Sequence, residues 1–149
     1  MTLPTNRWFA ATFLLAGFAA GSFVTTRFMR PVQAEAAATR VYELRTYHTV
    51  EGRLPALEKR FRDHTLRIFE KHAMRNVGYW VPEDAPAHAN TLIYIISHES
   101  RDAAKANWAA FAADPEWKKV AADSQADGKI LDKAPESVFM DPTDYSPVK

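Results

Sequence analysis

Three polar side chains alternate along one short segment of the sequence and could form a binding or catalytic site. Glu43, Arg45 and Tyr47 lie two residues apart in segment 41–47 (VYELRTY), whose alternating, β-prone residues predict a strand. Alternate residues of a strand share one face of its sheet. A carboxylate, a guanidinium and a phenol could bind a polar head group or perform acid–base chemistry, whereas a structural ion pair is the other interpretation. We expect Leu44 to face the helices, and the three polar groups to point away from them.

A histidine and two neighbouring aromatic residues are further candidates for the same site. His64 lies between Phe61 and Ile68 in a predicted helix, and this spacing predicts that its imidazole faces the sheet, as a general base, a haem ligand or a core histidine. Tyr79 and Trp80 point to opposite faces of a predicted strand, so one of them should reach the interior of the barrel that the sheet is expected to form. The candidate ligand-binding residues are therefore Glu43, Arg45, Tyr47, His64, Tyr79 and Trp80.

The sequence contains no motif for several classes of chemistry. The chain has no cysteine, and its five histidines show no HExxH pattern or other metal-type spacing. It also has no GxSxG, Walker or GxGxxG motif. Past residue 34 the sequence has 16 basic against 18 acidic residues, which interleave along it and do not form a phosphate-binding patch. We therefore expect no metal, no cofactor and no nucleic-acid partner.

The positions of these candidates depend on elements that periodicity and turn residues predict. Hydrophobic residues three or four apart predict a helix over 54–72, with Pro55 in its first turn. A second helix is predicted over 103–113, and Asp114 followed by Pro115 should break it and begin it again. Strands are predicted at 41–47, 76–81, 91–98 and 137–140, which gives the order βαββαβ.

This element order predicts a ferredoxin-like α+β fold. A split βαβ unit of this type forms a four-stranded antiparallel sheet with both helices on one face. The other face of such an apolar sheet would be a large exposed patch, which usually marks an interface. Two sheets packed back to back would form a dimeric α+β barrel, so we expect a homodimer.

The N-terminus has the pattern of an export signal. Arg7 precedes the uncharged segment 8–26, and small residues at the −3 and −1 positions offer cleavage after residue 34 or residue 36. We divide the chain into a signal peptide or signal anchor at 1–34, a linker at 35–40, the folded domain at 41–140 and a tail at 141–149. We expect export, to the periplasm. An uncleaved anchor at 8–26 is the alternative and would be the chain's one membrane contact; a mitochondrial presequence fits less well.

Six short segments of the predicted domain resemble the NIPSNAP family, in that family's order and spacing. They are 42–47 (YELRTY), 54–55 (LP), His64, 77–80 (VGYW), 99–100 (ES) and 114–117 (DPEW). The sequence departs from the family's pattern near Ile96, where a tryptophan is usual, and near His98, where a tyrosine is usual. The resemblance implies a dimeric α+β barrel, a superfamily that also holds small monooxygenases, haem-degrading enzymes and isomerases, but it implies no particular reaction.

Two functions are compatible with these residues. In the first, the chain is a non-catalytic NIPSNAP protein of the cell envelope that binds a small, partly apolar or aromatic ligand, or a protein partner, through its dimeric barrel. In the second, it is a cofactor-independent monooxygenase or a related small-molecule enzyme that uses Glu43, Arg45, Tyr47 and His64 around an aromatic-lined pocket.

Overall fold

Four strands and four α-helices follow one another in the predicted order. The computed structural model describes residues 40–148, so the predicted signal segment 1–34 and linker residues 35–39 lie outside the described residues. The strands are β1 (Val41–His48), β2 (Arg75–Trp80), β3 (Thr91–His98) and β4 (Glu136–Met140). The α-helices are α1 (Leu54–Arg60), α2 (Leu66–Lys71), α3 (Arg101–Ala113) and α4 (Pro115–Asp123).

The strands form one antiparallel sheet in the order β2-β3-β1-β4. β1 is central and pairs along its whole length with β3, from Val41 opposite His98 to His48 opposite Thr91. β4 then pairs with the other edge of β1. This topology confirms the predicted ferredoxin-like α+β fold, in which β2 and β3 form an antiparallel hairpin.

Strand β2 carries a bulge next to a close contact between its Trp80 and Gly78. The pairing with β3 shifts between Asn76 and Gly78, so Val77 is the extra residue. The Trp80 ring lies directly over Gly78, and a Cβ atom there would come within 2.5 Å of the ring. A larger residue at this position would therefore displace the Trp80 ring.

The first helical region is continuous but not uniform. A π-helical segment at Phe61–Thr65 separates α1 from α2, and the backbone N–H of Leu66 donates to the carbonyl of Phe61, five residues earlier. The wider π turn delays the rotation of the side chains around the axis. Thr65 is therefore buried and His64 is exposed, so the prediction that His64 faces the sheet is wrong.

The second helical region breaks where the sequence predicts. Ser100 caps α3 by accepting a hydrogen bond from the N–H of Ala103. Asp114 then caps α4, with the N–H of Glu116 donating to its carboxylate at 2.8 Å. The buried Asp114 carboxylate also lies 2.8 Å from Lys71 Nζ and 2.6 Å from His72 Nε2, which ties this break to the end of α2.

The core lies between the sheet and the helices. It contains fully buried residues from α1, α2, the turn after α2, and β3, among them Leu57, Ile68, Met74 and Ile96. Ile130, in the connection between α4 and β4, is also fully buried. No helix within residues 40–148 is long and apolar enough to cross a membrane.

Candidate functional site

Glu43, Arg45 and Tyr47 share one face of β1, as predicted, but that face is the one packed against the helices. The Glu43 carboxylate accepts a hydrogen bond from the indole of Trp108 on α3, and Tyr47 packs edge to face on Phe61. The prediction that the three residues point away from the helices is therefore wrong. The period of a strand identifies which residues share a face but not which face is covered.

Glu43 is the centre of a closed hydrogen-bonded group that we call the Glu43 cluster: Glu43, Arg45, His98, Trp108 and Ser137. One carboxylate oxygen accepts from Arg45 Nη1 at 2.8 Å and from Ser137 Oγ at 2.6 Å. The other accepts from Trp108 Nε1 at 2.7 Å and from His98 Nε2 at 3.1 Å. The Glu43 side chain is 1% exposed. Four donors thus occupy a carboxylate that is closed to solvent.

The electrostatics of the cluster keep Glu43 ionised. Burial raises the pKa of the Glu43 carboxyl, but the hydrogen bonds from His98, Ser137, Arg45 and Trp108 outweigh it and lower that pKa from 4.5 to about 2. Burial lowers the pKa of Arg45, but the nearby Tyr47, Tyr94 and Glu43 outweigh burial, and the net direction is upward. The two groups therefore form a permanent ion pair.

His98 completes the Glu43 cluster from the far end of β3. Its ring is fully buried, and the side-chain nitrogen of Asn107 approaches its Nδ1 at 3.3 Å while also donating to the carbonyl of Ala73. Because an amide nitrogen can only donate, His98 Nδ1 accepts and Nε2 carries the proton that Glu43 accepts. This tautomer satisfies both ring nitrogens without using the histidine for other chemistry.

An aromatic group extends from the cluster along the helix-facing side of the sheet. The Arg45 guanidinium carbon lies 4.5 Å from the Trp108 ring centroid and 5.6 Å from that of Tyr47. The hydroxyl of Tyr94 donates to the hydroxyl of Tyr47 at 3.0 Å, and Tyr79 stacks on Tyr94 with centroids 5.3 Å apart. Tyr79 is thus linked to Arg45 and Tyr47 through Tyr94.

An open pocket of about 460 Å³ adjoins this group at Tyr47, and we call it the Tyr47 pocket. Its far wall is the connection between α4 and β4, where the N–H of Val50 donates to Ile130 and the N–H of Asp132 donates to His48. These bonds and the buried Ile130 hold the connection against the end of β1. The pocket is lined by Tyr47, Arg60, Trp117, Ala121, Gln125, Lys129, Leu131, Asp132, Lys133, Ala134 and Pro135.

Two predicted site residues lie elsewhere. His64 lines a neighbouring groove of about 630 Å³ between α1, the π-helical segment and α4, together with Asp63 and Lys119. Arg60 borders both this groove and the Tyr47 pocket. Trp80 is 51% exposed and covers Gly78 on the sheet face that carries no helix. The structure therefore brings Glu43, Arg45, Tyr47 and Tyr79 together and places His64 and Trp80 outside that group.

The site also contains residues that the sequence analysis did not select. His98 and Ser137 are partners of Glu43 from two different strands, and Trp108 is its partner from α3. Arg60 is buried at the end of α1 and lines the Tyr47 pocket. The predicted apolar stripe of this helix runs through Leu57 and Phe61 and does not include Arg60, so the sequence carried no signal for its burial. Within residues 40–148 no group of three His, Asp or Glu side chains could hold a metal ion.

The fold and the site define a class of protein: a ferredoxin-like α+β domain with a closed charged cluster and an open pocket on the helix-covered side of its sheet. A family model of NIPSNAP matches residues 42–147. The chain belongs to the NIPSNAP family, which confirms the resemblance seen in the sequence. No curated protein matches the chain.

Solved structures give the same assignment. A NIPSNAP family protein of unknown function from Agrobacterium tumefaciens is 28% identical, with a TM-score of 0.63 over 76% of this chain and 96% of its own. An uncharacterised NIPSNAP domain protein from Burkholderia xenovorans is 25% identical, with a TM-score of 0.60 over 72% and 98%. A monooxygenase from Streptomyces coelicolor, solved with nanaomycin D, shares the fold at 16% identity, with a TM-score of 0.51 over 75% and 95%.

Proposed function

We propose that this chain is a homodimeric binding protein for a small, partly apolar ligand, and that the Glu43 cluster is structural. The observation that carries this proposal is the contrast between two neighbouring regions. The Glu43 carboxylate is closed and fully hydrogen-bonded, whereas the adjacent Tyr47 pocket is open. The cluster therefore offers no free group to a ligand, whereas the Tyr47 pocket has open volume for one.

The bonding of Glu43 argues against an acid–base role for it. A general base needs a free lone pair within reach of its substrate and a pKa near the working pH. All four hydrogen bonds to Glu43 come from protein groups, and the carboxyl pKa is lowered to about 2. This arrangement favours a structural role for the cluster over the enzymatic alternative.

The Tyr47 pocket has the size and lining of a small-molecule site. Its volume of about 460 Å³ lies in the range of roughly 300–1,000 Å³ that is typical of ligand pockets. Trp117, Leu131 and Pro135 supply apolar surface, while Tyr47 and Arg60 supply polar groups. Such a mixture suits a molecule with a hydrophobic body and one polar end.

The sheet face without helices supports the proposed homodimer. Val77, Trp80 and Val138 on this face are 41%, 51% and 55% exposed, although all are large and apolar. Leu44 on β1 lies directly opposite Val138 on β4, so the exposed side chains form a patch that continues across the sheet. Self-pairing about a twofold axis would remove this surface from water in both protomers.

We also propose that the protein is exported. The support is in the sequence: Arg7, the uncharged segment 8–26, and small residues preceding positions 35 and 37. Cell fractionation with N-terminal sequencing tests this proposal. A mature chain that begins at residue 35 or 37 in the periplasm supports cleavage, an intact chain in the membrane fraction supports the anchor, and a cytoplasmic intact chain overturns export.

Native mass spectrometry of the protein, purified from its own host without added ligand, tests binding and assembly together. We expect a dimer that retains a small molecule, with the adduct lost when Trp117 is changed to alanine. A monomer contradicts the proposed interface. Turnover of a substrate by the purified protein, abolished in folded Arg45→Ala, overturns the non-catalytic assignment in favour of the monooxygenase-like alternative.

A further inference from the structure

Arg60 is a buried cation without an acidic partner. It is the last residue of α1, it is 6% exposed, and among the described residues no Asp or Glu oxygen lies within ion-pair distance of it. Two part-buried arginines of the domain are paired by contrast, Arg45 with Glu43 and Arg53 with Asp127. A buried charge is normally paired because its desolvation is costly, so Arg60 requires an explanation.

The hydrogen-bonding capacity of Arg60 is largely unused. Its Nη1 makes one long bond of 3.4 Å to Ser124 Oγ, and its Nε has no hydrogen-bond partner, as is also the case for Arg45 and Arg53. A guanidinium carries five N–H donors in a planar fork, which matches the two oxygens of a carboxylate. Burial lowers the pKa of Arg60, and the nearby tyrosines Tyr47 and Tyr94 offset only part of that effect. The group is therefore a desolvated cation with free donors.

Aromatic, apolar and basic side chains surround the N–H donors of Arg60. Its guanidinium carbon is 5.3 Å from the centroid of the Trp117 ring, and both residues line the Tyr47 pocket. Leu131 and Pro135 extend the apolar wall. Three basic residues line the pocket against one acidic residue: Arg60, Lys129 and Lys133 against Asp132. The pocket thus combines an aromatic wall with an excess of positive charge.

We propose that the Tyr47 pocket binds a small carboxylate with an aromatic or alicyclic body, whose carboxylate pairs with Arg60 and whose ring packs against Trp117. This inference rests on the proposed binding function and adds the chemical class of the ligand. The ligand supplies the counter-charge that the chain itself does not provide to Arg60. An ion pair with the buried Arg60 is screened less by solvent than an ion pair at the surface.

A matched pair of probes tests the inference: 1-naphthoate and its neutral analogue 1-naphthamide. Titration calorimetry of the full chain, in a buffer without carboxylate or phosphate, measures the dissociation constant of each. We expect 1-naphthoate to bind roughly ten- to a hundredfold more tightly than the amide, because a hydrogen-bonded charge pair is worth that factor. Arg60→Met should abolish the preference, whereas Arg62→Met, which removes an exposed charge two residues away, should retain it.

Each other outcome decides against the inference. Equal binding of naphthoate and naphthamide, lost in Trp117→Ala, overturns the carboxylate assignment and leaves the proposed apolar binding function intact. Binding of neither probe overturns the inference, and the proposed function is then decided by the retained adduct in native mass spectrometry. If Arg60→Met does not fold, Arg60→Lys replaces it in the comparison. The inference then requires that the preference for 1-naphthoate over 1-naphthamide differ between Arg60→Lys and the unmodified chain, and an equal preference contradicts it.

Discussion

Glu43 and Arg60 are both buried ionised residues on the helix-covered side of the sheet, and they differ in how far the protein pairs their charge. Glu43 has four hydrogen-bond donors, whereas Arg60 has one long hydrogen bond and an unpaired Nε. A paired buried charge holds its neighbours in place, while an unpaired one is a cost to folding that a ligand can relieve. Removal of the charge should therefore lower the free energy of unfolding at Glu43 and raise it at Arg60.

Glu43→Gln should lower the free energy of unfolding by about 3 kcal/mol or more, because it leaves Arg45 as a buried cation without its partner. Urea denaturation followed by circular dichroism measures the change. Glu83→Gln, at an exposed position in the turn after β2, is the control and should have no measurable effect. Equal stability of Glu43→Gln and the unmodified chain would show that the ion pair does not stabilise the fold.

The same carboxylate should give stability a dependence on pH. The pKa of Glu43 is about 2 in the folded protein against an ordinary 4.5, so the unfolded chain binds the proton more tightly. Its contribution is complete above the ordinary pKa and is lost as the pH falls towards about 2. The difference in stability between the unmodified chain and Glu43→Gln should therefore shrink between about pH 5 and pH 3. A constant difference would contradict the assignment of an ionised Glu43.

Arg60→Met should raise the free energy of unfolding of the unliganded protein by about 1 kcal/mol, because a methionine fills similar space without a buried charge. Thermal denaturation in the absence of ligand measures this. Arg62→Met should leave stability unchanged, since Arg62 is exposed. A large loss of stability in Arg60→Met would indicate that the contact with Trp117 is structural.

At the scale of elements, the π-helical segment decides which side chains of the first helical region meet the sheet. Phe61 is 4% exposed and contacts the rings of Tyr47, Phe69 and Tyr94, whereas His64 lies in the outer groove. The hydroxyl of Thr65 donates to the carbonyl of Arg60, five residues earlier, and so supports the wide turn.

Substitutions within this segment should separate its buried and exposed sides. Phe61→Ala should cost about 3–5 kcal/mol through the cavity it leaves among aromatic rings. His64→Ala, three residues later, should change stability by less than about 0.5 kcal/mol. Chemical denaturation of both variants provides the comparison. A large effect of His64→Ala would mean that the imidazole faces the core.

At the scale of the whole molecule, assembly is expected to depend on the sheet face that carries no helix. Val138→Glu places a charge at an exposed position of β4 and should leave the protomer folded while raising the dimer dissociation constant at least about tenfold, since each charge occurs twice in a twofold interface. Analytical ultracentrifugation measures this constant. Ala110→Glu, on the exposed side of α3, is the matched control. Equal dimerisation of both variants would exclude this face as the interface.

The sequence by itself determined the elements and their order. Residues 91–98 were predicted as a strand and form β3 with those bounds, and the helix break at Asp114 and Pro115 is confirmed. These features depend on local causes: β-branched runs, an N-cap carboxylate and a proline without an N–H group. The alternation of Glu43, Arg45 and Tyr47 was likewise sufficient to place them on one face.

Only the tertiary structure decided which face that was and what surrounds it. A strand has the same period whichever side the helices cover, so the contact of Glu43 with Trp108 was not visible in β1 itself. The π-helical segment turns His64 outward, and a prediction from the regular helical period does not include this wider turn. The isolation of Arg60 depends on which carboxylates lie near it in space, and sequence spacing does not report that distance.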